Sequence, residues 1–171
     1  AMRLMGLDPG LNATGWGVVE SDGAHLSHVA NGTARTKADD DLARRLAALD
    51  VALAEVIASW APDSAAIEET FVNCNPGSAL KLGLARGVVM LAPARAGLAV
   101  AEYNNSQVKK AVVGSGRASK EQMQLMVRHL LPGCEPGSAD AADALAVAIC
   151  HAHHATSTGG RWAAALAGSA A

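Results

Sequence analysis

Carboxylates stand at three separate places where a chain alternating strands and helices would end a strand or begin a helix. Asp8 immediately precedes a Pro9-Gly10 turn, Glu68 and Glu69 close a short apolar stretch, and Asp140 and Asp143 lie three residues apart in an alanine-rich segment. A three-residue step puts Asp140 and Asp143 on one helix face within a turn. Sites of open α/β sheets collect at strand ends and adjacent helix termini, so four carboxylates from three distant segments can meet. Ionised carboxylates a few ångströms apart repel strongly unless cations neutralise them. Oxygen-only ligands select hard ions, Mg²⁺ or Mn²⁺ rather than zinc. Two such ions about 3.5–4 Å apart suit in-line attack of water on a phosphodiester. Taken singly, Asp8 reads as a turn former and Asp140 and Asp143 as ordinary helix N-terminal acids. The apolar setting of Ala139, Ala141, Ala142, Ala144, Leu145 and Ala146 counts against that, because charges packed among such residues need partners. Strand alternation puts Glu68 and Glu69 on opposite faces, and spacing alone does not choose between them.

Positive charge gathers downstream. Residues 81–128 hold eight basic and two acidic side chains, whereas the whole 171-residue chain has a net charge of −2. The average excludes a histone-like polycation, and the asymmetry suits a polyanion on one side with cations at a carboxylate site. Lys109 and Lys110 end a short helix, and Arg117 and Lys120 follow Gly114-Ser115-Gly116. Backbone N–H groups of such a turn, with lysines beside them, suit phosphate. Phe71 is the one phenylalanine of the chain and begins a polar loop, an odd place for a core residue. His151, His153 and His154 fall eight or more residues past Asp143, roughly 12 Å along a helix. That is too far to share its ions, and they are read as helix C-terminal residues favoured by the dipole when protonated. Three cysteines without metal-ligand spacing suit a reducing cytosol. No apolar run is long enough to span a membrane.

The elements that must position these residues follow from periodicity. Arg3–Asp8, Thr14–Ser21 and Ala24–Thr33 read as an antiparallel meander, with Asp22-Gly23 as a hairpin turn. From residue 40 to Trp60 the apolar period becomes helical, behind Asp39, Asp40 and Asp41. Ser64–Glu69 reads as a buried strand and Phe71–Gly77 as a loop. Ser78–Ala94 is a helix with Leu80, Leu84, Val88 and Leu91 on one face, and Leu98–Glu102 is a fifth strand. Helices follow at Ser106–Val113, from the Ser119/Gln122 capping box to Leu131, and from an N-cap at Ser138 to about His154. Gly83 and Gly87 thin one side of the 78–94 helix, so two copies of it can approach across a two-fold axis, or the helix can pack closely on its own sheet. Residues 2–156 form one α/β domain, and 157–171 a flexible tail.

Five collinear segments together resemble the RuvC family of Holliday-junction resolvases: GLDPG and TGWGVV within 6–19, AIEETF at 66–71, NPGSALKLGLARGV at 75–88, QVKKAVVGSGRASKEQ at 107–122 and ADAADALAVAI at 139–149. The resemblance implies a ribonuclease-H-like fold, with a five-stranded mixed sheet flanked by helices on both faces, and a homodimer in the bacterial cytoplasm. It implies symmetric nicking of four-way junction DNA in recombination and repair, leaving 5′ phosphates and 3′ hydroxyls, with Mg²⁺ (Mn²⁺ substituting), two ions per subunit. It selects Glu68 of the glutamate pair and matches Asp8, Asp140 and Asp143 to the other acids. Phe71 matches a residue that stacks on junction bases, and Lys109 and Lys120 match lysines beside the DNA backbone. Partners are a junction-binding protein and a branch-migration motor, of the RuvA and RuvB types. Two positions depart from the pattern: Glu69 and Thr70 replace a neutral pair, and Arg161 is the only basic residue of the tail.

The competing readings are a nuclease of the same fold on other branched substrates, a non-catalytic junction binder, and an actin-like phosphotransferase. The last needs two copies of such a fold and a second glycine-rich nucleotide loop, which this sequence does not offer.

Overall fold

In a computed structural model, residues 1–69 and 75–157 are described, apart from the side chains of 156 and 157. In chain order the elements are β1 (Met2–Asp8), β2 (Ala13–Ser21), β3 (Leu26–Arg35), α1 (Leu42–Trp60), β4 (Ser64–Glu68), α2 (Pro76–Arg95), β5 (Val100–Tyr103), α3 (Asn105–Val113), α4 (Lys120–Leu130) and α5 (Ala139–Ser157). The strands form one sheet in the order β3-β2-β1-β4-β5. β1, β2 and β3 are antiparallel neighbours, and β4 and β5 run parallel to β1. The mixed sheet with helices on both faces is the expected α/β architecture.

Side-chain alternation divides the core in two. Leu4, Val19, Ala66 and Ala101 pack under α3, α4 and α5. Met5, Leu7, Val18, Ala65 and Ile67 pack against α1 and α2. Carrying the alternation on from Leu4 and Ala66 puts Asp8 and Glu68 on the α5 face. Glu69 takes the opposite parity, lies one residue beyond β4, and is exposed. Its N–H donates to the Tyr103 carbonyl at 2.8 Å.

Three local expectations are corrected. The β2–β3 connection spans residues 22–25 rather than two residues, because the Asp22 carboxylate accepts from the N–H groups of Ala24 and His25 and widens the turn. The core face of α2 is Ala85, Val89, Ala92 and Pro93, small residues that let the helix sit close. Leu80, Leu84 and Leu91 face outward, 67%, 39% and 52% exposed. Gly83 and Gly87 are exposed among them, with nothing within 4 Å of where a β-carbon would lie. Close packing of these glycines on the protein's own sheet is thereby excluded. The end of α1 fits its sequence: Asp41 caps it by accepting from the Arg44 N–H, and Ala61 closes it in the left-handed conformation.

Candidate active site

Main chain sets the position of the acids. Beyond Asp8 the chain turns at Pro9-Gly10, where buried Thr14 donates to the Gly10 carbonyl at 2.8 Å and accepts from its N–H. On the α5 face, glycines replace side chains where the helix crosses the sheet. A β-carbon at Gly6 would lie 2.0 Å from the Ala144 carbonyl oxygen, and one at Gly15 would lie 1.9 Å from that of Asp140. One at Gly17 would meet the Leu145 side chain. Gly15 pairs with Asp8 and Gly17 with Gly6 in the β1–β2 register. The helix therefore rests on sheet backbone, with buried Ala141, Ala144 and Ala148 underneath. Ser138 fixes where it begins: its hydroxyl accepts from the Ala141 N–H and meets the Thr33 hydroxyl at 2.6 Å.

The result is a cluster in which one carboxylate oxygen each from Asp8, Asp140 and Asp143 lies within 4.8 Å of the others. Burial pushes the Asp8 carboxyl up from 3.8 to about 7, helped by the negative charges of Asp143, Glu68 and Asp140 and opposed by Lys120. Asp143 is raised chiefly by burial, with Lys120 pulling the other way. Two acids held so reluctantly ionised describe a site built for added positive charge. The all-oxygen donor set fits a hard divalent ion. Glu68 is not in the three-residue cluster, because the Asn105 side-chain amide donates to it at 2.8 Å. It nevertheless lines, with Asp143, Asn105, Lys109 and Lys120, one depression of about 270 Å³.

Of the sequence-derived basic residues, Lys109 and Lys120 thus face the site. Lys110 does not: the helical step turns it to the other side of α3, onto a depression lined by Gln107, Gly114, His153 and His154. Arg117 is exposed in the α3–α4 connection, downstream of Gly114, which ends α3 with φ 90°. Phe71 and Arg161 lie outside the described residues, as does the tail from residue 158 on. The reading of the three histidines is corrected at His151, which is fully buried rather than dipole-facing. It bridges the Ser64 hydroxyl and the Tyr103 hydroxyl, both at 2.8 Å, and burial, then the neighbouring His154, lowers its pKa to about 4. A neutral ring satisfied at both nitrogens ties α5 to the first residue of β4 and the last of β5. Sequence reasoning missed Asn105 and the glycine track. An amide following a strand end signals the former, and glycines at alternate strand positions facing an alanine-rich helix signal the latter.

The family model described as crossover junction endodeoxyribonuclease RuvC matches residues 4–151. The crossover junction endodeoxyribonuclease RuvC of Paramagnetospirillum magneticum is 60% identical over 153 residues, covering 90% of this chain and 92% of that protein. That of Cereibacter sphaeroides is 56% identical over 166 residues, 97% of this chain and 98% of that protein. Among solved structures, Thermus thermophilus RuvC in complex with a Holliday junction substrate superposes with a TM-score of 0.86 at 35% identity, covering 92% of this chain and 97% of that one. The yeast mitochondrial Holliday junction resolvase Ydc2 shares the fold, with a TM-score of 0.64 at 13% identity over 98% of this chain and 81% of that one.

Proposed function

Because the chain belongs to the RuvC family of crossover junction endodeoxyribonucleases, we propose that it resolves four-way DNA junctions by paired, symmetric, metal-dependent nicks. The observation that carries this is the meeting of Asp8, Asp140 and Asp143 beside Lys109 and Lys120 on one face of the sheet. The three aspartates would hold Mg²⁺, with Mn²⁺ able to substitute, and Glu68 extends the donor set to two ions per subunit. Bound there, the ions would supply charge neutralisation and Lewis-acid activation for phosphodiester hydrolysis to 5′ phosphate and 3′ hydroxyl ends. Lys120 and Lys109 draw the scissile phosphate toward the acids, and Asn105 holds the Glu68 carboxylate at the rim of the same depression. Phe71, three residues after the end of β4 in the sequence, stacks on a junction base, a contact worth about 1–3 kcal/mol.

The outward stripe of Leu80, Gly83, Leu84, Gly87 and Leu91 supports a homodimer. Its residues recur at helical spacing, and the glycines leave room for a second helix. A two-fold dimer matches the two-fold symmetry of a junction and cuts both strands alike. The partners are a junction-binding protein and a branch-migration motor of the RuvA and RuvB types, in the cytoplasm of a bacterium. Among the described residues no helix is long and apolar enough to cross a membrane.

The test is cleavage of a labelled four-way junction beside a linear duplex of the same sequence. Wild type with Mg²⁺ or Mn²⁺ should nick the junction in opposed strands, and Asp8→Asn should bind it without cutting. Equal cutting of the linear duplex, or undiminished cutting by Asp8→Asn, would overturn the proposal.

A further inference from the structure

The depression that holds Glu68 and Asp143 has a second, separate depression beyond it, also lined by residues of α4 and α5. In the first, Lys120 and Met123 of α4 face Asp143 and Ala146 of α5. In the second, of about 230 Å³, Gln124 and Arg128 of α4 meet Pro136, Ser138, Ala139 and Ala142. The numbers rise along α4 as they fall along α5, so the helices run antiparallel and the two depressions are successive. Lys120, Gln124 and Arg128 recur at four-residue steps and form one row on α4. No carboxylate lines the second depression. Arg128 is exposed and makes no ion pair among the described residues, whereas Arg3, Arg44, Arg86 and Arg95 each have an acidic partner. Glu135 lies in the neighbourhood of Cys134 together with Arg128, yet it does not line the second depression.

We propose that this second depression is a phosphate subsite for the bound DNA strand, with Arg128 as its cation and Gln124 as a polar neighbour. The proposal rests on the nuclease reading of the site. A guanidinium grips a phosphate through two parallel N–H donors, which a lysine cannot do. Eight residues of helix separate Lys120 from Arg128, about 12 Å at 1.5 Å per residue. A B-form strand advances about 3.4 Å per nucleotide. That is the rise along the duplex axis, and the strand also winds about it. Phosphates about 12 Å apart are therefore roughly two nucleotides apart, so Arg128 meets a phosphate about two nucleotides from the one at Lys120.

The experiment measures junction binding with Ca²⁺ in place of Mg²⁺, across a salt series, for wild type, Arg128→Ala and Arg128→Lys. Arg128→Ala should flatten the slope of log K against log salt by about 0.9, one phosphate's worth, and Arg128→Lys should restore it. Single methylphosphonates placed about two nucleotides to either side of the scissile bond should weaken wild-type binding and leave Arg128→Ala unaffected. Wild-type binding with an unchanged slope in Arg128→Ala, or the same methylphosphonate penalty in both proteins, overturns the subsite alone. A wild type that binds no junction overturns the nuclease reading and the subsite with it.

Discussion

Replacing Asp8 by Asn should abolish cleavage and, without divalent ions, stabilise the fold. Asp8 is half-buried, and burial with the neighbouring acids pushes its carboxyl up from 3.8 to about 7. At about 1.36 kcal/mol per pKa unit, ionising it in the folded protein costs at most about 4 kcal/mol. Relaxation of the pocket and salt screening reduce this to about 1–2 kcal/mol. The sign follows from linkage. With the folded-state pKa raised above the unfolded one, stability from this group is full below about pH 4 and is lost as pH rises through about 7. Asparagine carries no charge, so its advantage grows over that same interval. At about 2–4 °C per kcal/mol for a chain of this size, Asp8→Asn should melt roughly 2–8 °C above wild type at pH 8 in chelator. The difference should shrink toward zero near pH 4. Saturating Mg²⁺ should narrow it from the other side, because the ion binds the wild-type folded state preferentially. Thermal melts followed by circular dichroism over pH 4.5–8, with chelator or Mg²⁺, provide the measurement. If Asp8→Asn melts at or below wild type at pH 8, or if the gap is independent of pH, the account of the site as electrostatically loaded fails.

Three further outcomes are expected. Gly15→Ala drives a methyl group into the Asp140 carbonyl, so it should cost about 2–4 kcal/mol in urea unfolding and abolish cleavage where the protein remains folded. Leu84→Asp on the outward face of α2 should give monomers by light scattering, with a melting temperature that no longer rises with protein concentration and unpaired nicks in place of symmetric resolution; a dimeric Leu84→Asp would exclude this face as the interface. His151→Phe leaves the Ser64 and Tyr103 hydroxyls without their shared partner and should cost about 2–3 kcal/mol of stability, while cleavage at low temperature stays within a few fold of wild type.

The sequence made the elements and the acids legible because both depend on local signals. Capping residues sit where they were expected: Ser119 with Gln122 forms a capping box, and Ser138 accepts from the Ala141 N–H. Asp8 ends β1 ahead of its Pro-Gly turn as expected, whereas β4 ends at Glu68, one residue short of the expected Ser64–Glu69 strand. The legible part ended where a choice depended on what lies across the chain. The leucines of α2 have helical periodicity on either side of the question, and only the presence of Ala85 and Val89 against the sheet assigns Leu80, Leu84 and Leu91 to the outside. Lys109 and Lys110 are indistinguishable by composition, yet a 100° helical step sends one to the acids and the other away. His151 looked like a terminal histidine because the hydroxyls that satisfy it come from residues 87 and 48 positions away. Glu68 is diverted toward Asn105 for the same reason.

The seating of α5 on Gly6 and Gly15 leaves a joint with no rotamers to sample. Distances between the first strand and the last helix are fixed by peptide planes, which cannot swing aside as leucines can. Most drift at the exterior, such as a changed lysine or a lengthened loop, leaves those distances where they were. Only a change that lifts the whole helix can reset them. The spacing of Asp8 from Asp140 and Asp143 is therefore held by main chain rather than by side chains that can repack.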